Sequence, residues 1–435
     1  MKKYPTNEVF TPSSSAKLTF VERDDINNSL VDSLKTIGKQ IIVYGYSGVG
    51  KTTLLRNKLE QVYERTITSS CFKGRTVDQL IMEAFDHLDI YYIADKESKK
   101  THKIGGSLEA SYSKIKATLQ AEISGELVEK SKRIVVVGLT PQRLAQFLGT
   151  FKCCWVIEDA HKLENAEKEK LSQMMKIFVD VAGESNDYKE LKMIVIGATG
   201  TGREIVEYDS NMRNRVAEIL VPTMDETELL EIIKKGESLL NISFDNEVKN
   251  IITKLSNGLP SICHQLCLNM CFEHGIYETI DNTVHFKKED LDNAVNKYMR
   301  EYSDTFKATY DKITKVHRGG KLPNGKLIIE AFIRCNSEYI SHNELLKEIQ
   351  KKEINYRSSN LTTYLKKLCS EDMGEYLKQD EASGKYFFTN LLDKAYAMMI
   401  YRKENKNIDD TIEFNFNGII MYNLFYKKSV DILSL

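Results

Sequence analysis

Long hydrophobic runs are missing from this chain. No apolar stretch approaches the roughly 20 residues needed to cross a bilayer, which excludes a transmembrane helix. The first fifteen residues, MKKYPTNEVFTPSSS, hold two lysines but no apolar segment behind them, so a secretory signal is not expected and the cytoplasm is. Proline and glycine are scarce, and eight cysteines among 435 residues are too few for a disulfide scaffold. No CxxC spacing occurs either. Cys153 and Cys154 sit side by side in an apolar run and read as small hydrophobes. Cys263, Cys267 and Cys271 recur every four residues near His264 and His274, a stripe on one side of a helix. A metal site there competes with a buried helix face, and the missing CxxC favours the buried face.

What is present is an ordinary globular composition, 42% hydrophobic and 28% charged, long enough for two or three domains. The net charge of −1 says little about partners, but its distribution says more. From Lys307 to Ser370 there are 13 Lys and Arg against 6 Asp and Glu, which suits either a phosphate-facing surface or a solvated helical face.

Residues 1–16 are polar and turn-rich and read as an arm. Residues 17–224 alternate apolar strands with helical segments, which predicts an α/β domain around a parallel sheet. Its clearest strands are Gln40–Tyr44, Cys153–Ile157 and Lys192–Ile196, with Arg65–Ser70 and Glu218–Val221 weaker. An insertion over about 96–132 is rich in Lys, Ser, Gly and Glu. Within it Ile115, Ala117, Leu119, Ala121 and Ile123 alternate with polar residues, as in a half-exposed strand, though a helix also accommodates them. Residues 225–302 read as a small helical domain, 303–325 as a linker, 326–404 as a further domain and 405–435 as an extension that packs on the body or on a partner.

The strongest local signal follows the strand Gln40–Tyr44. Gly45-Tyr46-Ser47-Gly48-Val49-Gly50-Lys51-Thr52 matches G-x-x-x-x-G-K-[ST] in full, with an amphipathic helix, Thr53–Tyr63, behind it. Glycines let the loop wrap closely enough for its N–H groups, through that of Thr53, to face phosphate oxygens, and the helix N-terminus adds a favourable dipole. Lys51 is placed to neutralise the β/γ-phosphates, and the Thr52 hydroxyl to bind Mg²⁺. ATP with Mg²⁺ is the expected ligand.

A P-loop needs an acidic partner on a neighbouring strand. The run Cys153–Ile157 ends in Glu158 and Asp159. Glu158 is expected to face the Mg²⁺ shell through water, and Asp159 to orient or deprotonate the attacking water. Beyond the strand Lys192–Ile196, in Gly197-Ala198-Thr199-Gly200, Thr199 is the candidate for reaching the γ-phosphate, unless the segment is only a turn. Arg213 and Arg215 follow; either could serve a neighbouring subunit as an arginine finger, or form surface ion pairs.

Phe20-Val21-Glu22-Arg23 ahead of the P-loop, the acidic strand, the Thr199 turn and the arginine pair together resemble the AAA+/STAND superfamily, in particular origin-recognition-type AAA+ ATPases and STAND signalling ATPases. The resemblance spans roughly residues 17–300. It implies that Phe20, Val21 and Arg23 lie near the adenine, and that Gly258-Leu259-Pro260, similar to the GxP element of STAND proteins, sets Pro260 by the base. Two departures imply slow turnover: no arginine stands in the Gly258–Pro260 element, and the acidic order is Glu-Asp where AAA+ proteins usually have Asp-Glu.

Residues 326–401 read as a winged helix, which the origin-recognition resemblance also implies. Leu327–Ile333 is the first helix; Ser341–Ile349 is the second, with Ser341 and Glu344 forming a capping box; Asn355–Leu368 is the third. Tyr376–Lys378 and Lys385–Phe388 make a hairpin. Arg357, Asn360, Lys366 and Lys367 on the third helix could meet DNA, while Asp380 and Glu381 at the hairpin tip would repel it. Two functions stay open. One is an ATPase switch that oligomerises or engages a separate effector protein, with bacterial defence as a setting by analogy. The other is a double-stranded-DNA-binding ATPase of replication- or transposition-initiator type. A metabolic kinase is disfavoured, because no acceptor-substrate motif accompanies the P-loop. The fold class expected is α/β: a three-layer parallel-sheet ATPase domain, then a helical lid and a winged helix.

Overall fold

The computed structural model describes residues 2–88, 140–198, 202, 205, 212–316, 322–335 and 337–405. The insertion around 96–132, Thr199 and the end beyond 405 lie outside these residues. The chain divides into two compact units: residues 22–45 with 54–221, and residues 1–21 and 46–53 with 222–435.

The first unit is built on a five-stranded parallel sheet. Its strands are β1 (Gln40–Tyr44), β2 (Arg65–Ser70), β3 (Cys153–Glu158), β4 (Lys192–Gly197) and β5 (Val216–Leu220), in the order β2-β3-β4-β1-β5. β3 and β4 are buried almost throughout, as strands covered by helices on both faces must be. The fifth strand begins two residues earlier than its apolar pattern predicts, because Arg215 and Val216 already enter the ladder beside Gln40.

Polar groups inside this sheet are paired. Lys192, fully buried at the start of β4, donates from Nζ to the carbonyls of Thr36 and, at 2.7 Å, Lys39. Burial lowers its pKa to about 8. Gln40 bonds Gly38 O with its amide nitrogen and accepts from Met193 N–H at 2.7 Å. Trp155 Nε1 donates to Ser69 Oγ at 3.1 Å, so the one tryptophan is buried without stranding its N–H. Lys58 and Glu22 pair at 2.8 Å.

In the second unit, helices Glu226–Leu240, Asn246–Ser256, Pro260–Glu273 and Lys288–Glu301 pack together beside a short parallel pair, β6 (Ile242–Phe244) and β7 (Val284–Phe286). Asp225 caps the first of these through a capping box with Glu228. The Pro260–Glu273 helix is buried on nearly every side, Cys263, Cys267 and Cys271 among its buried residues. Burial raises the thiols of Cys267 and Cys271. Among the described residues no cluster of three or more metal-ligating side chains occurs.

The opening residues, read as a polar arm, fold against these helices. Thr6–Val9 form a helical turn, Val9 and Phe10 are fully buried, and the Thr11 N–H donates to His264 Nδ1 at 3.2 Å. The pattern misses this because only two apolar residues carry it.

Residues 324–404 supply helices Asn324–Cys335, His342–Gln350 and Ser358–Leu368, an antiparallel hairpin of β8 (Leu377–Gln379) and β9 (Tyr386–Phe388), and the helix Leu391–Glu404. Both halves of the Ser341–Glu344 capping box form. The third helix starts at Ser358 rather than Asn355; Tyr356, buried ahead of it, ends the preceding turn.

Candidate nucleotide site

The glycines of the loop after β1 are needed for their backbone conformation, and Gly48 for space as well. Gly45, Gly48 and Gly50 have φ of 143°, 82° and 94°, a region that L side chains rarely adopt. A β-carbon on Gly48 would lie 2.6 Å from Ser261 Oγ, and one on Gly50 would touch Pro260 at 3.7 Å. Val49 is buried and anchors the turn, while Ser47 is exposed. The helix Lys51–Val62 then begins, with Thr52 and Thr53 half-buried in its first turn, where N–H groups have no intrahelical partner. Lys51 Nζ donates to the Tyr46 carbonyl at 2.6 Å. Ser261 Oγ, buried beside the loop, has no hydrogen-bond partner among the described residues. A glycine cradle, a helix N-terminus, a lysine and an orphaned hydroxyl fit a polyphosphate.

The stretch Phe20–Arg23 is held from several directions. The Phe20 carbonyl accepts from Lys235 Nζ at 2.6 Å, Val21 is buried, and Arg23 is half-buried at the start of the helix Asp24–Lys35.

Within the sheet, parallel register places the carboxyl ends of β1, β3 and β4 on one edge, the edge where open α/β sheets bind ligands. Glu158 closes β3, half-buried. Asp159 follows in the left-handed region (φ 59°, ψ 28°), and Lys162 Nζ donates to its Oδ2 at 2.7 Å. That backbone turn begins the short helix Ala160–Lys162 and brings His161 to the end of β4, where the Ala198 N–H donates to its Nδ1 at 3.2 Å. Arg213 is exposed, and Arg215 pairs with Asp180 at 3.1 Å on the surface.

Comparison with protein families matches residues 38–204 to the AAA domain family. The matched span takes in β1 to β4 and the glycine loop. Solved structures similar to the chain include a Walker-type ATPase of Pyrococcus abyssi, 16% identical, covering 88% of this chain and 96% of that one with a TM-score of 0.49. Cdc6p from Pyrobaculum aerophilum is 14% identical over 91% and 98%, with a TM-score of 0.44. The Orc1 protein of Aeropyrum pernix, solved in complex with DNA, is 12% identical over 93% and 98%, with a TM-score of 0.40. No curated protein is similar to the chain in sequence.

Two features near the site escape the sequence reading. His161 ties the acidic end of β3 to the end of β4; its signal was a polar residue two positions past the acidic pair. The other is Tyr46, whose hydroxyl donates to Glu338 Oε1 at 3.1 Å. No local pattern foretells a partner 292 residues away.

Proposed function

We propose that the chain binds ATP with Mg²⁺ at the P-loop, hydrolyses it slowly, and uses bound nucleotide to change how it associates with further copies of itself or with a partner protein. One observation carries this reading. Loop residues 46–53 group with residues 222–435, and through Tyr46, Gly48 and Gly50 they meet Glu338, Ser261 and Pro260. A ligand that reshapes the loop acts on both the helical region and the three-helix region, and it shifts their equilibrium by its differential affinity for the two arrangements.

The roles follow the sequence reading. Backbone N–H groups from Gly45 to Thr53 cradle phosphates and Lys51 neutralises them. Thr52 and, through water, Glu158 hold Mg²⁺, which neutralises phosphate charge. Asp159 receives the proton of the attacking water, with Thr199 near the γ-phosphate and Arg213 or Arg215 serving a neighbouring protomer. Phe20, Val21, Arg23 and Pro260 surround the base. The Glu-Asp order of the acidic pair supports slow turnover.

Titration calorimetry with ATP and Mg²⁺ tests the reading. Wild type should bind, and Lys51→Ala should bind at least about tenfold more weakly, having lost charge-assisted bonds to phosphate. Sedimentation should change on adding ATP to wild type alone. Absence of nucleotide binding by wild type would overturn the proposal.

A second reading, DNA binding by a winged helix, is favoured by the exposed side of the helix Ser358–Leu368. Arg357, Ser358, Ser359, Thr362, Thr363, Lys366 and Lys367 face solvent, while Leu361, Leu365 and Leu368 are buried. Asn360 is half-buried at its start. Duplex affinity would fall steeply with salt through counterion release, and replacing Arg357, Lys366 and Lys367 with Ala would flatten that slope. No duplex binding at low salt leaves this region to protein docking.

A further inference from the structure

Tyr46 occupies a variable position of the P-loop motif, where phosphate chemistry asks nothing of the side chain. Yet this residue is held at both ends. Its carbonyl accepts from Lys51 Nζ at 2.6 Å, and its hydroxyl donates to Glu338 Oε1 at 3.1 Å. Glu338 lies in the link between the helices Asn324–Cys335 and His342–Gln350. Its neighbour Tyr339 packs against Phe387 of the hairpin, ring centroids 5.1 Å apart.

The carboxylate is built for this contact. Burial raises the Glu338 pKa, while the Tyr46 hydroxyl and the charge of Lys394 pull the other way. Lys394 is itself buried on the helix Leu391–Glu404, its pKa lowered to about 8 by desolvation against the attraction of Glu338. A half-buried carboxylate with a buried lysine behind it is costly unless its hydrogen bonds are kept, so such a group specifies one arrangement rather than adding stability.

We propose that the Tyr46–Glu338 hydrogen bond is an autoinhibitory latch through which residues 324–404 hold the P-loop in a low-affinity state, and which nucleotide binding releases. The inference rests on reading the loop as a nucleotide site. In the latched loop Lys51 is spent on the Tyr46 carbonyl. To meet phosphate, Lys51 leaves that carbonyl and the peptide groups of 46–50 turn inward; the Tyr46 backbone shifts, and its hydroxyl is drawn off Glu338. Linkage makes the effect reciprocal: whatever opens the latch tightens nucleotide binding by the same factor by which nucleotide favours the open latch.

The test uses the full chain as wild type, Tyr46→Phe, Glu338→Gln and the double variant. Tyr46→Phe removes one oxygen and keeps the ring, so it isolates the hydrogen bond; it should bind ATP at least about fivefold tighter than wild type. The double variant should bind no tighter than Tyr46→Phe, since Glu338→Gln acts on the latch only through the hydroxyl that Tyr46→Phe already removes. Hydrogen exchange at residues 337–340 should be slow in wild type, rise on adding ATP, and already be raised in Tyr46→Phe without it. Equal ATP affinity in wild type and Tyr46→Phe, or exchange at 337–340 indifferent to ATP, would overturn the latch while leaving the nucleotide site intact. No ATP binding by wild type would remove the site itself, and the latch with it.

Discussion

Asp159 and Lys162 face each other across a single tight turn, Oδ2 to Nζ 2.7 Å, with Asp159 in a left-handed backbone conformation. The turn separates two adjacent carboxylates in direction: Glu158 still belongs to β3, whereas Asp159 has left it. Adjacent acids so divided are expected to do different work. Asp159→Asn should leave ATP affinity near wild type and lower turnover at least about a hundredfold, because an amide cannot accept a proton from water. Glu158→Gln should instead raise the Mg²⁺ concentration needed for half-maximal turnover. Steady-state phosphate release across a Mg²⁺ series separates the two, and exchanged phenotypes would reverse the roles.

Arg213 and Arg215 are both exposed, and Arg215 pairs with Asp180 of its own chain. If a finger acts between protomers, Arg213→Ala should lose more turnover than Arg215→Ala, by about tenfold or more. Turnover per protomer should rise with concentration. Mixing Arg213→Ala with Lys51→Ala should restore part of it, since each supplies what the other lacks. A turnover independent of concentration would assign both arginines to surface structure.

His264 gives the fold a pH dependence of known sign. It is buried, accepts from the Thr11 N–H, and packs edge-on to Phe10; desolvation lowers its pKa from 6.5 to about 4. The unfolded chain takes up this proton near pH 6.5, the folded chain only near 4. The contribution of the neutral ring is therefore complete above pH 6.5 and is lost as the pH falls toward 4, in total about 3 kcal/mol. In thermal melts over that range, His264→Gln should show a flatter pH profile than wild type. Parallel profiles would mean that other groups set the acid sensitivity.

Gly236 leaves room for the N-terminal segment: a β-carbon there would come within 2.2 Å of the Phe10 ring. Gly236→Ala should expel Phe10 and expose residues 5–11 to proteolysis, overriding the gain in helix propensity that alanine brings. Phe10→Ala should cost about 3–5 kcal/mol through lost burial. Combined with Phe10→Ala, Gly236→Ala should become harmless or mildly stabilising. An additive double variant in denaturant melts would dissociate the two residues.

Local patterns determined much of this protein. Continuous apolar runs bounded by turns placed β1, β3 and β4, because strands buried on both faces leave little choice of residue. The glycines of the loop after β1 were legible because its backbone geometry, with positive φ at Gly45, Gly48 and Gly50, dictates them within eight consecutive positions. The capping box at Ser341 was legible for the same reason: its two partners are three residues apart. The tertiary structure alone decided what lies opposite. Tyr46 looks like any variable loop residue until the chain brings Glu338 to it, and Lys192 like a surface lysine until the carbonyls of Thr36 and Lys39 enclose it. The opening residues look like a tail until Phe10 and Thr11 find Gly236 and His264. Each of these is one polar or aromatic group satisfied by another distant in sequence, and periodicity carries no information about such pairs. Composition and spacing record the shape of an element, while only the packed chain chooses its partners.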